Sequence, residues 1–149
     1  MKIQLELSES VQILKTNQTL QTRLGVVEFD NSHIYSFARG LYGFEAFQHY
    51  IFAPLPGLAK DMNYMVLQSM EAPDLCFVVM KIDTTIPSLD FSNLKPFLDS
   101  VRLDISDVVI GVIVTFNPDK TNEERVTYNQ KAPLVFSQKS NEGWQIILE

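Results

Sequence analysis

The apolar residues of this chain fall into short runs, and turn-forming residues interrupt them so often that a sheet is the natural outcome. Residues Lys2 to Ser8 alternate strictly between apolar and polar, the period of a half-buried strand. Ser8-Glu9-Ser10 then turns the chain into Val11 to Leu14, a hairpin pattern. Val26 to Phe29 and His33 to Phe37 flank Asp30-Asn31-Ser32, a good turn sequence. Tyr50 to Ala53, Tyr64 to Met70, Leu75 to Ile82, Val108 to Phe116, Val126 to Tyr128, Leu134 to Phe136 and Trp144 to Leu148 complete the set of strand-like runs. Pro54, Pro56 and Gly57 end one run, and Asn117-Pro118-Asp119 ends another. Thr16 to Gln21 is polar and reads as a loop, as does Leu58 to Asn63. Glu45 to Gln48 reads as one helical turn. Leu75 to Ile82 is nearly all apolar, which predicts burial on both faces. Gly111 inside the longest apolar run predicts a bulge or bend, as a curled sheet needs.

One stretch breaks the pattern. From Ser92 to Leu103, Leu94, Phe97, Leu98 and Val101 share a helical face, Ser92 can cap, and Pro96 sits in the first turn. The predicted fold is therefore mainly β: a single-domain, antiparallel, barrel-like sheet with one principal short helix. Its core is predicted to include Phe77, Val79, Val109, Ile110, Val112, Val114, Leu134 and Ile147. The 149 residues suit one domain spanning 1–149, with 1–21 as an N-terminal extension carrying the extra hairpin.

Charge and composition narrow the function. The net charge is −6 and the isoelectric point about 4.9. No excess of Lys or Arg is available to neutralise a phosphate backbone, so direct nucleic-acid binding is not expected. A basic protein partner is compatible with this charge. The one cysteine, Cys76, excludes an intrachain disulfide and a cysteine-based zinc site. The N-terminal pattern is not that of a signal peptide, and no apolar run is long enough for a membrane helix. The expected location is the cytoplasm. His33 and His49 lack metal-binding spacing, and there is no phosphate-loop motif. Cys76 lies in an apolar run and reads as a small hydrophobe. Trp144 reads as a half-buried sheet residue. The acidic pairs Asp104/Asp107 and Asp119 with Glu123/Glu124 lack the glycine-punctuated pattern of a calcium loop. Neither a cofactor nor a metal is expected, and catalysis is not.

The most unusual loop is Arg39-Gly40-Leu41-Tyr42-Gly43-Phe44-Glu45. Gly40 and Gly43 permit two sharp turns, yet the tip carries Leu41, Tyr42 and Phe44 where turns are ordinarily polar. Together with Thr22-Arg23-Leu24-Gly25-Val26-Val27-Glu28-Phe29 upstream, it resembles the FliW flagellar assembly factor family. There a T-(R/K)-(F/Y)-G-x-(I/V)-x-(F/V) strand leads to F-P-x-G-L-P-G-F. Val66-Leu67-Gln68-Ser69 resembles the family's (W/F)-L-Q-S, and Ala72-Pro73-Asp74-Leu75-Cys76-Phe77-Val78-Val79 its D-P-(D/E)-L-A-F-x-V. Thr127 to Phe136 resembles T-x-N-L-x-A-P-(I/L)-V-(I/F), and Gly143 to Leu148 resembles the G-x-Q-(V/I)-(I/V)-L ending. The resemblance runs in order from Thr22 to Leu148. Ala38 and Tyr42 stand where the family usually has proline, Arg39 where it is often acidic, and Gln130 where it has leucine.

The resemblance implies a binding protein without enzymatic activity. Its implied partners are flagellin and a CsrA-type RNA-binding translational regulator, a small basic dimer, with each partner excluding the other. Candidate contact residues are the aromatic Tyr42 and Phe44 and the acidic Glu45, Glu71, Asp74, Asp104 and Asp107, all beside turns. Leu41 and Phe44 are expected to plug one end of the barrel, with Tyr42 facing the partner. The competing reading is a small-ligand-binding β-barrel. The scarcity of polar groups on Leu75 to Val79 and Val108 to Val114 argues instead for a filled core.

Overall fold

The computed structural model describes residues 17–57, 63–83, 92–120 and 125–148. The predicted hairpin over Lys2 to Leu14, the Leu58–Met62 stretch and Glu123/Glu124 lie outside them. The strands are β1 (Gln18–Thr22), β2 (Gly25–Phe29), β3 (Ile34–Ser36), β4 (His49–Pro54), β5 (Tyr64–Ser69), β6 (Cys76–Ile82), β7 (Val108–Phe116), β8 (Val126–Tyr128), β9 (Leu134–Ser137) and β10 (Glu142–Gln145). Seven of them run in the order β6-β5-β4-β3-β10-β9-β7, and β7 pairs back onto β6, closing a barrel. β8 extends the far edge of β7. All pairings are antiparallel except β3 with β10, a single parallel pair of Ser36 and Glu142. Asn141 reinforces that thin seam. Its carbonyl accepts from the Ser36 N–H at 2.9 Å, and its side chain donates to the carbonyls of Ser32 and Ile34, both at 3.0 Å.

Alternation along the strands sorts the apolar residues into an inside and two outsides. Inside, Tyr35, Phe37, Tyr50, Phe52, Met65, Leu67, Val79, Leu134 and Phe136 fill the barrel. Phe52 stacks on Phe136 at 3.9 Å between ring centres, and Phe37 meets Tyr50 and Phe136 edge-on. Burying one such side chain is worth ~1.5–3 kcal/mol. Outside, Ile51, Ala53 and Val66 are covered by Val27 and Phe29 of the β1–β2 hairpin. On another wall, Val108, Ile110 and Val135 are covered by Leu94 and Leu98 of the helical segment.

Several expectations are corrected. Gln18–Thr22 is a strand, not a loop. Gln18, Thr19 and Gln21 face outward while the strand pairs along the whole of β2. The Arg23 guanidinium fastens the hairpin by donating to the Cys76 carbonyl at 2.8 Å. β7 has no bulge: its register is unbroken against β6 and β9. Gly111 makes room instead, since a Cβ there would lie 2.6 Å from a Val79 methyl. The helix is shorter than predicted. Ser92–Leu94 forms a 3-10 turn, and the α-helix α1 spans Lys95–Ser100 with Leu94, not Ser92, at its N-cap. Past the C-cap Val101 the chain turns left-handed at Arg102, whose φ is 61°. The N–H of Arg102 bonds the Asp99 carbonyl and that of Leu103 bonds the Leu98 carbonyl, a Schellman arrangement. Glu45 to Gln48 makes a turn and not a helical one. Ile147 is not core but 54% exposed. Strand pairing of β10 stops at Gln145, and it is Ile146 and Leu148 that pack toward the helix.

Candidate partner-binding site

The Gly40–Glu45 loop caps the end of the barrel where β3 stops and β4 starts. The Gly40 N–H bonds the Phe37 carbonyl at 2.8 Å, and the Phe44 N–H bonds the Leu41 carbonyl at 2.7 Å. Leu41 and Phe44 thus face each other across a tight turn with Tyr42 and Gly43 at its tip. Gly43 has φ 87°, the value a type II turn needs at its third residue. Two side chains lock the tip. Gln145 Oε1 accepts from the Tyr42 N–H at 2.7 Å, and Glu45 Oε2 accepts from the Gly43 N–H at 2.8 Å. The bond from Gly43, together with one from its own backbone N–H, holds the Glu45 carboxyl below the usual range.

The three apolar residues of the loop have different fates. Leu41 is buried at 1% exposure, a plug. Tyr42 is 77% exposed, with its backbone tied to the barrel wall. Phe44 lies between them at 39% exposure, its ring edge-on to Phe77 at 5.6 Å. An aromatic held out on a fixed backbone loses little entropy when a partner covers it.

Glu71 joins this end through the β5–β6 turn. Its Oε1 accepts from the Gln48 and His49 N–H groups, both at 2.9 Å, and its Oε2 is 3.2 Å from His49 Nδ1. The backbone bond from His49 contributes most to keeping the Glu71 carboxyl acidic. Gln48 then reaches back to the Ala38 carbonyl at 3.2 Å, linking the two turns. Asp74 is exposed on the same β5–β6 turn. Tyr42, Phe44, Glu45, Glu71 and Asp74 therefore share one end of the barrel.

Asp104 and Asp107 do not. Asp104 caps and Asp107 ends the 3-10 turn Ile105–Asp107 that enters β7. Because β6 and β7 are antiparallel, the start of β7 lies at the opposite end from the start of β6. There Asp104 accepts from the Ser106 hydroxyl at 2.7 Å, the main cause of its lowered pKa. Asp107 accepts from the Asp104 N–H at 3.1 Å and lies 3.7 Å from Lys139 Nζ. Both carboxylates shape a turn.

Sequence reasoning missed Met70 and Phe116, which are 47% and 55% exposed. Met70 follows β5 directly, and Phe116 ends β7, so topology brings both to the Tyr42 end. The available signal was position: an apolar residue placed last before a turn, at Ser69-Met70-Glu71 and Phe116-Asn117-Pro118, has run out of sheet to be buried in. Of the remaining candidates, Cys76 is buried, and burial is the leading cause of its raised thiol pKa. Trp144 is half-buried, edge-on to Phe97 at 5.3 Å. His33 belongs to the Asp30 capping turn, where its Nδ1 accepts from the Asp30 N–H at 3.0 Å.

Comparison with known proteins agrees with this architecture. The family model "FliW protein" matches residues 18–149, so β1 lies inside the matched region. The flagellar assembly factor FliW of Syntrophotalea carbinolica is 34% identical over 89% of this chain and 90% of its own. That of Caldanaerobacter subterraneus subsp. tengcongensis is 33% identical over 84% of this chain and 81% of its own. A crystal structure of the flagellar assembly factor FliW superimposes with a TM-score of 0.66 at 26% identity, covering 88% of this chain and 89% of that one. With a matching barrel, a matching sequence from its first described strand onward and relatives similar along nearly their whole length, the chain belongs to the FliW protein family.

Proposed function

We propose that this protein is a flagellar assembly factor that binds flagellin and, when flagellin is scarce, a CsrA-type translational repressor, each partner excluding the other. One observation carries the reading: the similarity to proteins named flagellar assembly factor extends over the whole barrel and not over one motif. The protein acts by binding and not by catalysis. Its place is the cytoplasm, where a translational repressor meets messenger RNA.

The Tyr42 end is the contact surface this reading favours. It presents aromatic and methionine side chains, a composition enriched at interface centres, with Glu45, Glu71 and Asp74 beside them. Carboxylates at such a rim attract a basic partner and mainly raise its association rate, an effect screened over ~8 Å at physiological salt. Asp104 and Asp107 lie too far round the barrel to join that surface. They can add to the overall field that draws in a basic protein.

The test is calorimetric titration of the full chain with purified flagellin and, separately, with a CsrA-type regulator. Saturable binding of at least one at tens of micromolar is expected. The absence of heat and of complex with both refutes the function while leaving the fold intact. With the regulator, the association rate should fall as ionic strength rises, and a salt-independent rate removes the acidic rim from the account.

A further inference from the structure

The end of the barrel opposite Tyr42 is open. A cavity of about 380 Å³ sits in this mouth, lined by residues from η1 (Asn31–His33), β3, β4, β5, β6, β7 and the β9–β10 turn. Its size falls in the lower part of the range that small-molecule sites occupy. Phe52, Met65 and Val109 supply apolar walls, with Phe52 and Met65 themselves 5% and 9% exposed.

Beside Ser32, Gln138 and Asn141, which can both donate and accept, three groups at this mouth offer donors. Tyr35 lines the cavity at 4% exposure, its ring edge-on to Phe136 at 5.2 Å. Its hydroxyl has no hydrogen-bond partner among the described residues, and burial raises its pKa, so it stays protonated. Lys81 is half-buried, and its ammonium makes no ion pair or hydrogen bond among the described residues. His33 accepts the Asp30 N–H on Nδ1, so the neutral ring carries its proton on Nε2 as a third donor. The carboxylates beside these groups in the chain are not free. Asp30 accepts from Ser32 and faces His33 Nδ1, and Asp83 has a partner as well.

The Tyr35 O–H reaches the open mouth and the Lys81 ammonium is half-buried beside it, so both have donor capacity to spare toward an occupant of the cavity. A ligand that is anionic at one end and apolar at the other matches these donors and the apolar walls beside them. We propose that the open mouth of the barrel binds a small aromatic carboxylate, with its carboxylate on the Lys81 ammonium and the Tyr35 hydroxyl and its ring against Phe52, Met65 and Val109. The site is separate from the Tyr42 surface and independent of what binds there.

The experiment is amide NMR of the full chain titrated with phenylacetate, 2-phenylacetamide and inorganic phosphate. Phenylacetate should shift the amides of Ile34, Tyr35, Lys81 and Val109 in a saturable way at millimolar concentration. The uncharged amide should bind the same place about tenfold more weakly, the loss expected for one charge-assisted hydrogen bond. Lys81→Gln should reduce phenylacetate to the level of the amide and leave amide binding as it was. Tyr35→Phe keeps the ring packing and should weaken phenylacetate severalfold. Three results overturn the proposal: no shift at these amides with phenylacetate, phosphate binding as well as phenylacetate, or Lys81→Gln binding phenylacetate as the parent does.

Discussion

The two glycines of the Tyr42 loop look equivalent in the sequence and are not equivalent in the fold. Gly43 has φ 87° and open space around it: a Cβ there meets no atom within 4 Å. Alanine at 43 therefore suffers only the left-handed backbone strain of an L-residue, ~1–2 kcal/mol. Gly40 has φ 63°, and its Cβ would lie 2.7 Å from Glu45 Cα, 2.8 Å from the Phe44 carbonyl oxygen and 2.9 Å from that of Glu45. Every one of those atoms is backbone, so no rotamer change relieves the clash. Alanine at 40 should bear the same strain plus an overpacking term of ~1–3 kcal/mol, a total of about 2–5 kcal/mol. It must also displace Phe44 and Glu45, and through them the hold on Tyr42. Urea denaturation should show a midpoint well below that of Gly43→Ala, with an unchanged slope. A Gly40→Ala protein within ~0.5 kcal/mol of Gly43→Ala would mean that the loop gives way, and the idea of a rigid platform for Tyr42 fails.

Other outcomes follow from single positions. Arg102→Gly should raise stability by ~1 kcal/mol, since the C′ residue of α1 is left-handed, and thermal melting reads this directly. Ile110→Ala should cost ~2–5 kcal/mol because that side chain is 2% exposed under Leu94 and Leu98, whereas Ile147→Ala, more than half exposed, should stay within ~0.5–1 kcal/mol. Tyr50 is fully buried, and that burial, with a smaller push from Glu71, raises its pKa to about 12. Its raised folded pKa means that this contribution is whole below pH ~10 and is lost as pH rises toward 12. Stability should therefore drop by about 2–3 kcal/mol across that window, and Tyr50→Phe should flatten the drop. Tyr42→Ala should leave the melting temperature nearly unchanged while weakening partner binding by at least ~1 kcal/mol. Equal destabilisation by Tyr42→Ala and Phe44→Ala would place the whole turn in the core.

Strands with a strong period were legible because period-two burial leaves its mark residue by residue. β4 to β7 and β9 were found within a residue or two of their ends. β1 was not, because a strand laid on the outside of a barrel needs few apolar residues: Leu20 and Thr22 turn inward, and Gln18, Thr19 and Gln21 look like a loop. Ile147 was misplaced by parity. The run Trp144-Gln145-Ile146-Ile147-Leu148 is apolar enough that either set of alternate residues could be the buried one, and only its pairing partners choose Ile146 and Leu148. The candidate site was half legible. Turn chemistry singled out the Tyr42 loop, and the split fates of Leu41, Phe44 and Tyr42 follow from the local hydrogen bonds. That Glu71 and Asp74 lie near this loop while Asp104 and Asp107 lie at the far end is a property of strand order, which spacing along the chain does not encode.

Exclusive exchange of the two partners can be read in a competition experiment. A preformed complex of this protein with a CsrA-type regulator is titrated with flagellin while the regulator's grip on a target messenger RNA is followed by fluorescence anisotropy. Flagellin should displace the regulator, and RNA binding should return in step with flagellin added. If the regulator stays bound while flagellin also binds, giving a stable three-way complex, exclusive exchange is wrong.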